Sequence, residues 1–90
     1  EPLRKAVEEK RIITFTYVDT AGVESYRILK PLALAQFNPV WLLLGWSDQK
    51  SDFRNFRLDR ISELQITDQH FKDQKSQTLK DFLDKEKKRG

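Results

Sequence analysis

The sequence predicts a mainly β fold with α+β elements: a small five-stranded barrel of the Sm-like or SH3 type, with an N-terminal and a C-terminal helix. Three observations lead there. Apolar residues recur first with the period of a helix and then, from Ile12 onward, with the period of a strand. Turn-forming residues divide the chain beyond that point into about five short strands within roughly 70 residues. A chain of 90 residues buries only ~60–65% of its unfolded surface, so its core must be compact, and 6 Phe, 2 Tyr and 2 Trp are there to fill it. A sheet of such short strands protects its edges best by curling on itself.

Pro2 suits a first helical turn, where its missing N–H costs nothing. Leu3, Ala6 and Val7 come next at i, i+3 and i+4, so residues 2–10 read as a short amphipathic helix with Glu8, Glu9 and Lys10 toward water. Ile13, Phe15 and Tyr17 then alternate with Thr14, Thr16 and Val18, a β-branched and aromatic run. Asp19-Thr20-Ala21-Gly22 supplies a turn in which Gly22 is free to take positive φ. A second strand is expected over residues 24–29, and Pro31, with no N–H for a ladder, marks its end, a bend or an edge. Asn38-Pro39 introduces a third strand, Val40–Ser47, whose unbroken apolarity argues that both faces are covered. A fourth is expected over residues 53–60, and Leu64 and Ile66 alternate within a short fifth. After Phe71 the chain turns polar. Thr78 caps a last helix with Asp81 as capping-box partner, and Leu79, Phe82 and Leu83 form its stripe. The expected division is a barrel domain over residues 1–71, then a polar segment and short helix over residues 72–90 that serve as a linker or open a C-terminal extension.

Composition narrows the function. The net charge is +3, of which residues 80–90, with five basic and three acidic side chains, carry +2, leaving only +1 for residues 1–79. Bulk charge therefore does not make this a polycation for nucleic acid, and any anion site must come from local clustering. Without cysteine there is neither a disulfide framework nor a thiolate metal site. No apolar run approaches the ~20 residues that span a bilayer, and no signal-peptide pattern opens the chain, so a cytoplasmic location without a membrane partner is expected. The absence of methionine, even at position 1, fits either a piece of a longer protein or a trimmed terminus.

The segment Arg54-Asn55-Phe56-Arg57-Leu58-Asp59-Arg60-Ile61 is the most informative. Strand parity puts Phe56 and Leu58 on the inward face, with Arg54 on that face near the barrel mouth and Arg57 and Asp59 opposite. Arg60 falls where the strand ends. Three arginines in seven residues, beside Trp41 and Trp46 on the preceding strand, set planar cations next to aromatic surface, a combination that suits phosphate clamping and base stacking. Arg27 on the second strand joins them if the fold brings those strands together. The plainer alternative stays open: arginines on exposed strands protect edges, and Arg57 and Asp59 form an ordinary surface pair. Parity separates the two tryptophans, so at most one is expected to point fully into the core.

Catalysis has little support. His70 is the only histidine, no serine sits in a nucleophile elbow, and 3 Gly cannot build a phosphate-cradling loop. Asp, Glu and His are scattered rather than set at ligand spacing, so neither a metal nor a cofactor is expected.

Taken in order, these marks resemble the WYL domain family over roughly residues 2–71. They are the helix Leu3-Arg4-Lys5-Ala6-Val7, the strand ending at Tyr17, Gly22 in the turn, and Arg27 followed by Pro31. Trp41-Leu42-Leu43 then stands at the name-giving tripeptide, followed by Arg54 and the run from Phe56 to Ile61. The resemblance implies an Sm-like barrel that senses a negatively charged ligand, frequently single-stranded nucleic acid or a nucleotide, for a bacterial transcription regulator. In such regulators the domain sits behind a helix-turn-helix DNA-binding domain of the same chain. By position it implies a binding surface of Arg27, Trp41, Arg54, Arg57 and Arg60. Leu42 departs from the family pattern, since it stands where the tripeptide has tyrosine and so brings neither hydroxyl nor ring. A homodimerisation module without a small ligand, or a self-contained Sm-like RNA-binding protein, remain the alternative readings.

Overall fold

The computed structural model describes residues 2–89, so the outermost positions of the two expected units, 1 and 90, lie outside it. A helix α1 (Pro2–Glu9) leads into strands β1 (Arg11–Val18), β2 (Glu24–Phe37), β3 (Val40–Ser47) and β4 (Asp52–Arg57). A single 3₁₀ turn (Leu58–Arg60), strand β5 (Ile61–His70) and helix α2 (Leu79–Arg89) complete the chain. The mainly β class with a helix at each end is as the sequence predicts, and β3 has the bounds read from its apolar run.

Three strands differ from expectation, the first being β5, which was expected to be short and runs ten residues, Ile61–His70. β2 does not stop at Leu29 but continues through Pro31 to Phe37. It pairs with β1 up to Leu29 (opposite Ile13) and with β3 from Lys30 (opposite Trp46). Pro31 thus sits where the ladder changes partner, and a register irregularity lies between Pro31 and Ala33. A residue without an N–H is tolerated at such a bend. β4 ends at Arg57 rather than Arg60, because Leu58–Arg60 winds into the 3₁₀ turn.

The strand order is β4-β3-β2-β1-β5, and the sheet is not closed: β4 and β5 share no ladder. The expectation of a closed barrel is corrected on this point. The chain coils immediately after Arg57, leaving no extended residues to pair across that seam. Side chains span it instead. The Arg57 backbone N–H donates to the Tyr17 hydroxyl at 3.2 Å, and Phe56 meets the edges of Phe15 and Tyr17 with ring centroids 5.0 and 4.8 Å apart.

The core lies inside this bent sheet, under α1. Leu3 and Ala6, on one face of the helix, pack with Ile13, Phe15, Leu29, Leu43 and Phe56. Phe15, Ile13, Leu29, Leu43 and Pro31 are almost wholly withdrawn from water, each large apolar side chain contributing ~1.5–3 kcal/mol of transfer free energy. Gly45 is required here, because a Cβ at that position would stand 2.6 Å from both the Leu29 side chain and the Lys30 carbonyl oxygen.

α2 packs on the outer side of β3 and β4. Its N-terminus carries the expected capping box. Thr78 N–H and the Thr78 hydroxyl donate to Asp81 Oδ2 at 3.1 and 2.7 Å, and Asp81 N–H donates back to the Thr78 hydroxyl at 3.2 Å. Of the expected stripe, Phe82 is buried and stacks on Phe53 at 4.9 Å, Leu79 is half-buried, and Leu83 is exposed. Phe53 in turn meets Trp46 edge-on at 5.0 Å. Neither tryptophan enters the core: Trp46 is half-covered on this outer side and Trp41 is 38% exposed.

Candidate functional site

The turn between β1 and β2 builds the first wall of the site. Asp19 organises it by accepting the Ala21 and Val23 N–H groups on Oδ1, both at 2.9 Å, while Gly22 takes φ 82 and donates its N–H to the Asp19 carbonyl at 3.0 Å. The same carbonyl accepts Arg60 Nη1 at 3.1 Å. Arg60 is therefore fixed to a turn 41 residues away, at the point where the 3₁₀ turn delivers the chain to β5 and Ile61 pairs with Tyr17. Arg60 Nε is buried without a protein acceptor, the one such side-chain atom among the described residues.

Arg27 comes to the same place from β2. Its backbone lies opposite Phe15 in the ladder, its Nε donates to the Ser25 hydroxyl at 3.0 Å, and its guanidinium carbon stands 5.5 Å from the centre of the Phe56 ring. An arginine over an aromatic face keeps most of its donors free for a further partner. Arg57 arrives from β4, its N–H held by Tyr17. Its side chain forms a fork on Asp59, Nε to Oδ1 at 3.1 Å and Nη2 to Oδ2 at 2.7 Å. That pairing raises the Arg57 pKa and lowers that of Asp59, which also senses the Arg60 charge.

The Tyr17–Phe56 pair thus links Arg27, which lies over the Phe56 ring, to the backbone of Arg57, and the pairing of Ile61 with Tyr17 puts Arg60 next in the chain at one end of the open seam. Trp41 flanks that end. It shares the strand face of Leu43, which pairs with Phe56, and lies one rung beyond the Leu42–Arg57 pair. Arg54 does not join them. It lies at the other end of β4, opposite Gly45, with Nη1 on Asp52 Oδ2 at 3.1 Å and on the Phe53 carbonyl at 2.8 Å. There it lines a small cavity with Phe53, Phe82 and Lys85. Two of the four predicted arginines, Arg54 and Arg57, carry carboxylate partners. Arg27 and Arg60 make no ion pair among the described residues. Trp46 donates Nε1–H to Asp48 at 2.9 Å and is occupied on the outer face.

Sequence reasoning missed Tyr17 and Ser25. Tyr17 bridges the seam through its hydroxyl, which a β-branched, aromatic strand pattern does not announce. Ser25, two residues before Arg27 on one strand face, was legible as a short-range partner.

Comparison with known proteins bears on this geometry. The WYL domain profile matches residues 1–66. The chain belongs to the WYL domain family. A relative, an uncharacterised HTH-type transcriptional regulator of Bacillus subtilis strain 168 (YobV), is 32% identical over 71 residues, 79% of this chain and 23% of the regulator. Among solved structures, the proteasome accessory factor B/C (PafBC) of Arthrobacter aurescens superposes with a TM-score of 0.70 at 26% identity, covering 77% of this chain and 11% of that one. This WYL domain therefore spans less than a quarter of either relative. No helix among its described residues is long and apolar enough to cross a membrane.

Proposed function

We propose that this WYL domain is the ligand-sensing part of a bacterial transcription regulator whose helix-turn-helix DNA-binding domain lies elsewhere in the parent chain. The ligand is negatively charged, single-stranded nucleic acid or a nucleotide. Arg27, Arg57 and Arg60 hold its phosphates, Trp41 offers a stacking surface and Arg54 an outlying contact. The bent sheet serves as an Sm-like, SH3-type barrel left open at the seam where these residues meet. The role is binding, without catalysis, metal or cofactor, and the setting is cytoplasmic.

The observation that carries this reading is Arg60: one guanidinium nitrogen is pinned by the Asp19 carbonyl while another, Nε, is covered and unmatched. With Nη1 fixed by that carbonyl and no carboxylate at ion-pair distance among the described residues, the exposed part of the guanidinium offers a preset cation to an arriving anion. Arg27, uncompensated over Phe56, supplies the second cation. The membership in the WYL family and the likeness to an HTH-type regulator support the regulatory setting.

The test is a fluorescence or anisotropy titration with single-stranded DNA, single-stranded RNA, mononucleotides and dinucleotides at low and high salt. Binding should weaken with salt and fall in Arg27→Gln and Arg60→Met, both checked for folding. It should survive removal of residues 80–90. Unchanged affinity in the arginine variants, or binding abolished by the truncation alone, defeats the site. Homodimerisation is the second reading, favoured by Tyr26 and Ile28, 64% and 40% exposed on the outer face of β2. Its signature is a mass that rises with concentration and ignores oligonucleotides.

A further inference from the structure

One carboxylate joins both walls of the cavity beside α2. Asp52 accepts Lys85 Nζ at 2.8 Å and the Phe53 N–H at 2.8 Å on Oδ1, and Arg54 Nη1 at 3.1 Å on Oδ2. Lys85 also lies 5.9 Å from the centre of the Phe53 ring, on which Phe82 stacks. Among the contacts that dock α2 on β4 are the buried Phe82 and the Lys85–Asp52 ion pair, and that ion pair shares its carboxylate with an arginine of β4. Along the same strand, Phe56, over which Arg27 lies, stands two residues from Arg54 on the same strand face, a rise of ~7 Å at ~3.3 Å per residue. A mononucleotide phosphate held at Arg27 and Arg60 is too short to reach both ends of this track. A polyanion of several phosphates is long enough.

We propose that Asp52 couples the far end of a long polyanionic ligand to helix α2. When a phosphate takes the Arg54 guanidinium, the Asp52 charge passes wholly to Lys85 and the helix docks more tightly. This rests on the functional reading above and adds to it a sensor of ligand length, with α2 as the element that moves. By linkage, the docked helix in turn raises affinity for the long ligand and leaves that for the short one unchanged.

The experiment is millisecond hydrogen exchange over residues 79–89, read with thymidine monophosphate or with single-stranded oligothymidylate at saturation. The oligonucleotide is expected to slow α2 exchange about two- to fourfold while the mononucleotide leaves it unchanged. In Asp52→Asn the slowing should vanish although the oligonucleotide still binds within about fourfold of the wild type. Without any ligand, Arg54→Ala should itself slow α2 exchange, because Asp52 then serves Lys85 alone, whereas a merely structural Arg54 would speed it. Bound oligonucleotide without an α2 response, or an equal response in Asp52→Asn, overturns the coupling and leaves the functional reading standing. Absence of binding by either probe overturns both.

Discussion

Replacing Arg60 by methionine separates a ligand contact from a structural post. The variant keeps the aliphatic stem and removes every donor. It loses the Nη1 hydrogen bond to the Asp19 carbonyl, which contributes about 0.5–1.5 kcal/mol for a typical bond and up to ~3 for a charged donor. It also relieves the buried, unmatched Nε, whose burden is about 1–3 kcal/mol. The two nearly cancel, so the unfolding free energy should stay within about 1 kcal/mol of the wild type, a shift in Tm of no more than ~4–8 °C for a domain of this size. Affinity behaves differently. One lost charge-assisted contact of ~1.5–3 kcal/mol lowers it roughly 10- to 150-fold. Urea unfolding of the free domain and anisotropy with labelled single-stranded DNA give the two numbers. A loss of stability above about 2 kcal/mol, or an affinity that does not change in a folded variant, refutes the reasoning and makes Arg60 a strut for the β1–β2 turn.

Three other outcomes are expected. Gly45→Ala forces a methyl against Leu29 and the Lys30 carbonyl and should destabilise the domain by ~1–3 kcal/mol in urea or thermal unfolding without changing ligand specificity. Asp52 has its carboxyl held at about 2 by Lys85, the Phe53 N–H and Arg54; a folded-state pKa depressed in this way gives stability that is present above the ordinary value near 4 and is lost as pH falls toward 2. The helical far-ultraviolet dichroism of α2 should accordingly weaken between those pH values in the wild type and weaken less in Asp52→Asn, where of these two carboxylates only Asp81 of the capping box, its pKa also lowered by the Thr78 hydroxyl and N–H, still acts on the helix. Finally, three phosphate contacts on a single strand predict a slope of about −2 for the logarithm of affinity against the logarithm of salt concentration, and Arg27→Gln should reduce it by about 0.7.

The fold was legible where one signal dominated. The apolar run of β3, bounded by Asn38-Pro39 and Asp48, could be only a strand covered on both sides, and Thr78 with Asp81 announced α2. The continuation of β2 was hidden. Leu32 to Gln36 contains no β-branched residue and comes after a proline, so local propensity argued for an ending, while partner exchange from β1 to β3 supplied a strand. Parity read correctly that Arg57 and Asp59 would meet, even though the 3₁₀ turn starts between them. It set Arg54 and Arg57 on opposite faces but could not show that Arg54 turns to the other end of the strand, because that depends on Asp52 and on a helix arriving from 33 residues away. Closure of the sheet depends on how many residues remain extended after Arg57, a matter of three side chains that no periodicity encodes.

The open seam has a mechanical consequence. β2 is the spine of a half-open book: its first half is bound into the β5–β1 leaf, its second into the β3–β4 leaf, and the Tyr17–Arg57 hydrogen bond is the clasp between the covers. Arg27 belongs to one leaf and Arg57 to the other. On the proposed reading, an anion gripped by both sets the angle between the two leaves.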